Sequence, residues 1–391
     1  MTRHFDVCIR GGGITGRTLA LLLAKERLRV GLVARDVSPA AVEVDASVDA
    51  NVDVRAYALN LKSKQLLESV RCWPDAAHAT PVMTMQVRGD DGGEVIFKAA
   101  DTQAEALAWI VDVPVLEAML AQATSFQPQI EMLETPQPAT LTVVCEGKAS
   151  AARAEFGVEF DVAPYSQCAI AARLRCEKPH AQTARQWFAQ DEILGVLPLG
   201  TGSVAESAAG ENEVAIVWSV PHEHARQLLE MTPADFASAV QVASHDSLGK
   251  VSLSSERVMW PLQLAHTEHW IGQTTVDGKG QAWALAGDAA HTVHPLSGQG
   301  LNLGLGDVAE LASLIAKRDY WRSVADDKLL RRYQRSRKAE SALLANTTDG
   351  LQRLFSQTGG NWQTLRNLGM NGFERSGPLK NWIARRAMGA S

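Results

Sequence analysis

The chain has 391 residues, 46% hydrophobic and 21% charged, enough for two domains or one large domain carrying an insertion. A net charge of −6 gives no overall basic field of the kind that draws a protein to nucleic acid. Five cysteines without CxxC spacing argue against a disulfide framework or a thiolate metal site, and no apolar run approaches the ~18 residues that span a bilayer. With no signal peptide ahead of the first strand, the expected location is cytoplasmic.

Phe5–Ile9 reads as a strand, Gly11-Gly-Gly13-Ile-Thr-Gly16 as a glycine turn, Arg17–Lys25 as a helix and Arg29–Ala34 as a second strand. This is GxGxxG in its required context. Gly11 permits the turn, Gly13 lets a pyrophosphate approach the backbone, and Gly16 lets helix and strand pack closely. The pattern names a dinucleotide and no reaction. The acidic residue that usually ends the second strand is missing: Ala34 stands there, followed by Arg35, a candidate for a cofactor phosphate, and Asp36. Arg10, where a strand normally carries Val or Ile, has no explanation in the sequence.

Ser38–Val54 reads as a surface loop, and Arg55–Asn60 as the opening of a helix running to about Val70. Alternation through Thr80–Lys98, broken at Gly89–Gly93, predicts a hairpin. Val115–Ala123 reads as a short helix and Thr140–Cys145 as a strand. From Val158 to Trp260 strand patterns repeat, interrupted by a helix over Pro233–Ser244 with Thr232 as its N-cap. This predicts an antiparallel sheet inserted into the dinucleotide-binding fold. Ala282–Ala286 is a buried strand leading into Gly287–Asp307, where Asp288 is followed by a loop and a glycine-rich helix start whose free N–H groups suit negative charge. Beyond Asp307 the chain reads as helix, broken most clearly at Gly359-Gly360, and the basic run Arg335-Ser-Arg337-Lys338 reads as a solvated face.

Three separated pieces, Gly11–Gly16, Glu146–Arg153 and Gly287–Asp307, together resemble the motifs of the single-component flavoprotein aromatic hydroxylases, and within these most closely the ubiquinone-biosynthesis hydroxylases. Arg55–Leu59, Trp109–Val111, Tyr165–Arg175 and Arg257–Leu262 extend the resemblance over nearly the whole chain. It implies an α/β fold in three parts. A FAD-binding Rossmann-like domain of the glutathione-reductase type would occupy 1–70, 107–157 and 257–340. An antiparallel β-sheet substrate domain would occupy 71–106 and 158–256, and a C-terminal helical region 341–391.

The resemblance also implies roles for residues. Gly11, Gly13 and Gly16 would hold the FAD pyrophosphate, Arg55 would lie along the cofactor, and Asp288 would bind ribityl hydroxyls. Gly298, Gln299, Gly300, Leu301 and Asn302 would set a helix N-terminus against the flavin ring, with Pro295 beside it. His294 and Pro295 are the candidate catalytic residues, and His291 is expected to hold the loop's shape. The implied reaction is hydroxylation of a prenylated phenol by O₂ through a flavin C4a-hydroperoxide, with NAD(P)H as transient donor and no metal. Contact with a membrane surface or a ubiquinone-synthesis complex, and homo-oligomer formation, belong to the same expectation.

Departures from the family pattern are Ala34, Glu146 in place of Asp, Val113-Pro114 in place of Asn-Arg, and a short Val115–Val144 segment. They leave a degraded scaffold as the alternative. An NAD(P)-dependent dehydrogenase would leave Gly287–Asp307 unexplained.

Overall fold

The computed structural model describes residues 4–34, 54–89, 92–189, 191–200, 212–276, 279–292 and 299–356, together with 374, 376 and 377. The opening unit is β1 (Phe5–Arg10), α1 (Ile14–Lys25) and β2 (Val30–Val33). Next come β3 (Ala56–Leu59), α2 (Leu61–Ser69), β4 (Ala79–Val82), β5 (Thr84–Arg88), β6 (Glu94–Lys98) and α3 (Ala99–Thr102). β7 (Ala108–Asp112), α4 (Val113–Ser125), β8 (Ile130–Leu133), β9 (Ala139–Val144) and α5 (Ala151–Glu155) follow. The middle of the chain holds β10 (Asp161–Cys176), β11 (Thr183–Ala189), β12 (Glu192–Leu199), β13 (Glu213–Pro221), α6 (His222–Glu230), α7 (Pro233–Ala243), β14 (Val251–Leu253) and β15 (Val258–His266). The last described part is β16 (Ile271–Val276), β17 (Lys279–Leu285), β18 (His291–Thr292), α8 (Gly300–Ala316) and α9 (Asp327–Ser356).

β1 is central to the first sheet, ordered β16-β17-β9-β1-β2-β8, in which all neighbours but β16 and β17 run parallel. Buried on both faces, its strands are continuous apolar runs such as Val30–Val33. α1 and α8 pack on it. Leu305, Val308, Leu311 and Ile315 make a fully buried stripe at helical spacing on α8, each contributing about 1.5–3 kcal/mol of burial.

The second sheet runs β18-β15-β10-β13-β12-β11-β5-β6, with β14 on β10, and is antiparallel except where β5 meets β11. Its strands alternate. Val214, Ile216, Trp218 and Val220 of β13 pack with Leu228 of α6 and with Phe236 and Val240 of α7. Ala215, Val217 and Ser219 line a cavity on the opposite face. A small β3-β7-β4 sheet lies between the two larger ones.

Several expectations change. Arg55–Asn60 does not start a helix: Ala56–Leu59 pairs antiparallel with β7, and the helix begins at Leu61, with Asn60 as an N-cap accepting from the Ser63 amide. Strand pairing has overridden local propensity here. The boundary at 256 falls one strand early, because Val258–His266 pairs with β10 in the antiparallel sheet. α6 was not foreseen.

The helix after Asp307 stops at Ala316 and resumes at Asp327, so the break precedes Gly359-Gly360, which lies outside the described residues. α9 also runs through the 340/341 boundary. The Val115–Val144 segment accommodates most of α4 as well as β8 and β9. The hairpin (β5 and β6) and the Thr232 cap, which accepts from the Asp235 amide, form as expected.

Candidate functional site

A cavity of about 640 Å³ lies where the carboxyl ends of the parallel strands meet the free face of the antiparallel sheet. From the first side it is lined by Gly13, Thr15, Gly147, Asp288, Gln299 and Gly300. From the second it is lined by Gly195, Leu197, Val217, Ser219 and Trp260, and from the small sheet by Tyr57, Ala58 and Ile110.

The glycine turn is built as its spacing demands. Gly11 has φ +123°, and a Cβ there would sit 2.3 Å from the Cys145 carbonyl oxygen. At Gly16 a Cβ would lie 2.0 Å from the Gly11 carbonyl oxygen. Gly13 differs: nothing lies within 4 Å of its would-be Cβ, and as N-cap of α1 it provides no side-chain cap. The first α1 amides therefore open onto the cavity. α8 repeats the device, since Gln299 makes no capping bond and Gly300 has the same open space. Two helix N-termini thus present free N–H groups and positive dipole ends to one cavity, an arrangement suited to an anionic ligand.

Arg10, unexplained in the sequence, is buried between two carboxylates. Its Nε donates to Glu146 at 2.9 Å and its Nη2 to Glu155 at 2.9 Å. The Glu155 hydrogen bonds, with the charge of both carboxylates, raise its pKa above the ordinary guanidinium value in spite of burial. The other oxygen of Glu146 accepts from Ser150 Oγ at 2.8 Å and from the Ala152 amide at 3.0 Å. Glu146 therefore spends its carboxylate on fixing the start of α5.

Asp307 organises the Gly287 loop. Its carboxylate, fully buried, accepts from the Gly287 amide at 2.8 Å, from His291 Nε2 at 2.7 Å and from Arg337 Nε at 2.8 Å. Burial pushes this carboxyl up, but the charge and hydrogen bonds of His291 and Arg337 outweigh it and hold the pKa below its ordinary value. His291 also stacks on Trp270, ring centroids 4.8 Å apart. It holds the loop, as its place in the motif suggested. Arg337 corrects the reading of its basic run: it is 4% exposed and reaches across to α8. A second carboxylate at the end of a GD…D motif, needing a buried cation, was the available signal.

The remaining candidates divide. Asp288 lines the cavity, and burial holds its carboxyl above the ordinary value against the opposing pull of Lys148. Gln299, Gly300 and Leu301 line it as well. Arg55 lines it and pairs with Glu117 at 3.0 Å. Asn302 is drawn away: its Oδ1 accepts from the Asn60 amide at 3.0 Å and Ser63 Oγ at 2.7 Å, and its Nδ2 donates to the Ala58 carbonyl at 2.8 Å. It ties α8 to β3 and α2. Arg35, His294, Pro295 and Gly298 lie outside the described residues. Among the described residues no group of His, Cys, Asp or Glu is arranged to hold a metal ion, and no helix is long and apolar enough to cross a membrane.

The model of a family described as the FAD binding domain matches residues 116–348. This chain belongs to that family. The open space at Gly13 and Gly300, the two uncapped helix starts and the Asp288 carboxylate fit such a cofactor. This FAD-binding protein is 28% identical to the 3-demethoxyubiquinol 3-hydroxylase of Escherichia coli, over 98% of each chain. It is also 28% identical to the ubiquinone hydroxylase UbiL of Rhodospirillum rubrum, over 98% of this chain and 89% of that one. Among solved structures it resembles Pseudomonas aeruginosa PqsL, crystallised with 2-aminobenzoylacetate, at a TM-score of 0.73 and 19% identity over 95% of this chain and 100% of that one. That likeness concerns the fold, which is the FAD-binding α/β fold.

Proposed function

We propose that this protein is an FAD-dependent monooxygenase that hydroxylates the aromatic ring of a prenylated phenol in ubiquinone biosynthesis, taking O₂ as co-substrate and NAD(P)H as transient donor. The observation that carries the reading is the shared cavity: one wall has the groups a dinucleotide needs, and the other is the free face of a sheet with small and apolar residues. The names of the relatives supply the substrate class. When bound, FAD would supply the activation of O₂ and the transfer of one oxygen atom to the ring.

The residues of the chain bind, orient and exclude water. Amides at the start of α1 suit the pyrophosphate, and Asp288 suits the ribityl hydroxyls. The α8 N-terminus would stabilise negative charge on the reduced ring. Ala215, Val217, Leu197 and Trp260 give the facing wall an apolar surface, beside the polar Arg185, Gln186 and Ser219, and that surface limits water at the reacting atoms. His294 and Pro295 are the residues we assign beside the ring. Peripheral contact with a membrane surface or a biosynthetic assembly, and self-association, belong to the same reading.

The test is the visible spectrum of purified protein, followed by ¹⁸O₂ turnover with a prenylated phenol and NADH or NADPH. Bound flavin, donor consumption that depends on the phenol, and one ¹⁸O atom in the product are expected. A colourless protein that takes up no FAD overturns the reading. A protein that holds FAD but consumes no donor with any phenol points to the scaffold alternative.

A further inference from the structure

Gly195 is a glycine that the fold does not ask for. It lies inside β12, opposite Val217 of β13 on one side and Gln186 of β11 on the other. Its φ lies outside the left-handed region, so other residues could hold the same backbone conformation. Among the described residues, a Cβ built there would meet only the Val217 carbonyl oxygen, at 3.5 Å, an ordinary van der Waals contact. Neither backbone nor packing excludes a side chain, and a glycine inside a strand weakens it. What the missing side chain leaves is room on the face that lines the cavity. Close approach of a ligand to the sheet is a physical reason for a glycine in such a place.

The order of the strands says what would approach. The Gly287 loop leads directly into β18, which pairs with β15, so the groups suited to FAD stand at the β15 end of the cavity. β10 and β13 come next and then β12, three strand spacings or about 14 Å from β15. Beyond β12 the lining reaches Met85 of β5 and Phe97 of β6, which pack with Val82, Leu107 and Leu197 in one apolar cluster. A phenol whose ring lies beside the flavin can lay an apolar tail across the strands into this far end. We propose that the prenyl tail of the substrate passes over Gly195 into the pouch at Met85, Phe97 and Leu107, and that Gly195 is the specificity-determining residue that admits tailed phenols. The proposal rests on the functional reading above.

The experiment compares FAD-loaded wild type with Gly195→Ala and Gly195→Leu. The readouts are melting temperature, FAD dissociation constant, and dissociation constants of phenol and of phenols carrying a geranyl or farnesyl tail, followed through the flavin spectrum. Gly195→Ala should melt at or above the wild-type temperature, because its methyl makes only an ordinary contact and the strand loses a glycine. Both variants should bind FAD as wild type does and keep their affinity for phenol. Affinity for the tailed phenols should fall from wild type through Gly195→Ala to Gly195→Leu, by about tenfold or more in the last, because a filled passage shuts the tail out of apolar surroundings.

Unchanged affinity of Gly195→Leu for the tailed phenols overturns the proposal. An equal loss for phenol and for its tailed forms overturns it too, by placing the ring over Gly195. A Gly195→Ala protein that melts well below wild type or loses FAD does the same, by showing that the fold itself needs the glycine. Wild-type protein that takes up no FAD, or that binds tailed phenols no better than phenol, defeats the functional reading itself. That result is distinct from a variant that binds tailed phenols as wild type does.

Discussion

Replacing Asp307 by Ala tests what holds the Gly287 loop in place. The substitution leaves the Arg337 guanidinium with only the half-exposed Glu340 carboxylate as ion-pair partner, and the Gly287 amide and His291 Nε2 without the acceptor they share. Breaking one side of a buried ion pair costs about 3–5 kcal/mol, more than the roughly 1–3 kcal/mol of a single orphaned polar group. For 391 residues, with an unfolding entropy of about 2 cal/mol/K per residue, this lowers Tm by about 4–6 °C. The assay is thermal unfolding of the apoprotein at neutral pH, followed by circular dichroism, for Asp307→Ala, Arg337→Leu and the double variant. Each single change should lower Tm, and the double should lose less than the two together, since the second substitution removes a charge whose buried partner is already gone. A single variant within about 1 °C of wild type, with additive behaviour in the double, would refute the argument.

Acid unfolding gives a second readout of the same network. The Asp307 carboxyl is held below its ordinary value of 3.8, so its contribution is complete above about pH 4 and disappears as pH falls through the depressed value. Arg337→Leu removes part of that depression, so the stability that acid removes through Asp307 should be smaller in the variant than in wild type and its loss complete at a higher pH. Gly13→Ala should fold normally but bind FAD poorly, because only open space meets the new methyl, whereas Gly16→Ala should fail to fold or melt far lower, because its methyl meets a backbone oxygen at 2.0 Å. Equal behaviour of the two in melting and FAD titration would contradict this. Asn302→Ala leaves Asn60 N–H and Ser63 Oγ without their acceptor and should lower apoprotein stability by about 1–3 kcal/mol, measured by urea unfolding. All five cysteines are buried and unpaired, with burial raising Cys176 to about 11 and Cys145 higher still. A thiol reagent should therefore find none in the native protein at neutral pH and all five in denaturant; rapid native labelling would show that the cores open.

What the sequence disclosed and what it withheld follow from the range of the interactions. The glycine turn, the β5–β6 hairpin, the Thr232 cap and the alternation along β13 are local, so their spacing sufficed. Arg10 was opaque because its partners Glu146 and Glu155 are 136 and 145 residues away. Arg337 looked like one more charge in a basic run because Asp307 lies 30 residues before it, on another helix. Arg55–Asn60 was misread because its conformation is set by pairing with β7, whose strand character depends on the sheet it joins. Asn302 sat inside the right motif, but the side chain turns to Asn60 and Ser63, a direction no spacing rule specifies. Two departures from the family pattern have structural roles here: Glu146 anchors α5, and Val113-Pro114 starts α4 with a buried residue and a proline in its first turn.

The crossing from β17 to β18 has a mechanical meaning. Leu285 ends a strand of the parallel sheet, His291 begins a strand of the antiparallel one, and only residues 286–290 lie between them. The stitch is tightened by the Thr267 amide bonding to the Ala290 carbonyl at 3.2 Å and by the Leu285 amide bonding to the Trp270 carbonyl at 2.8 Å. The two connections between the sheets, 267–270 and 286–290, are therefore short and hydrogen-bonded to each other, and so the spacing of the two walls along this edge is set by a few backbone residues and not by side-chain packing alone.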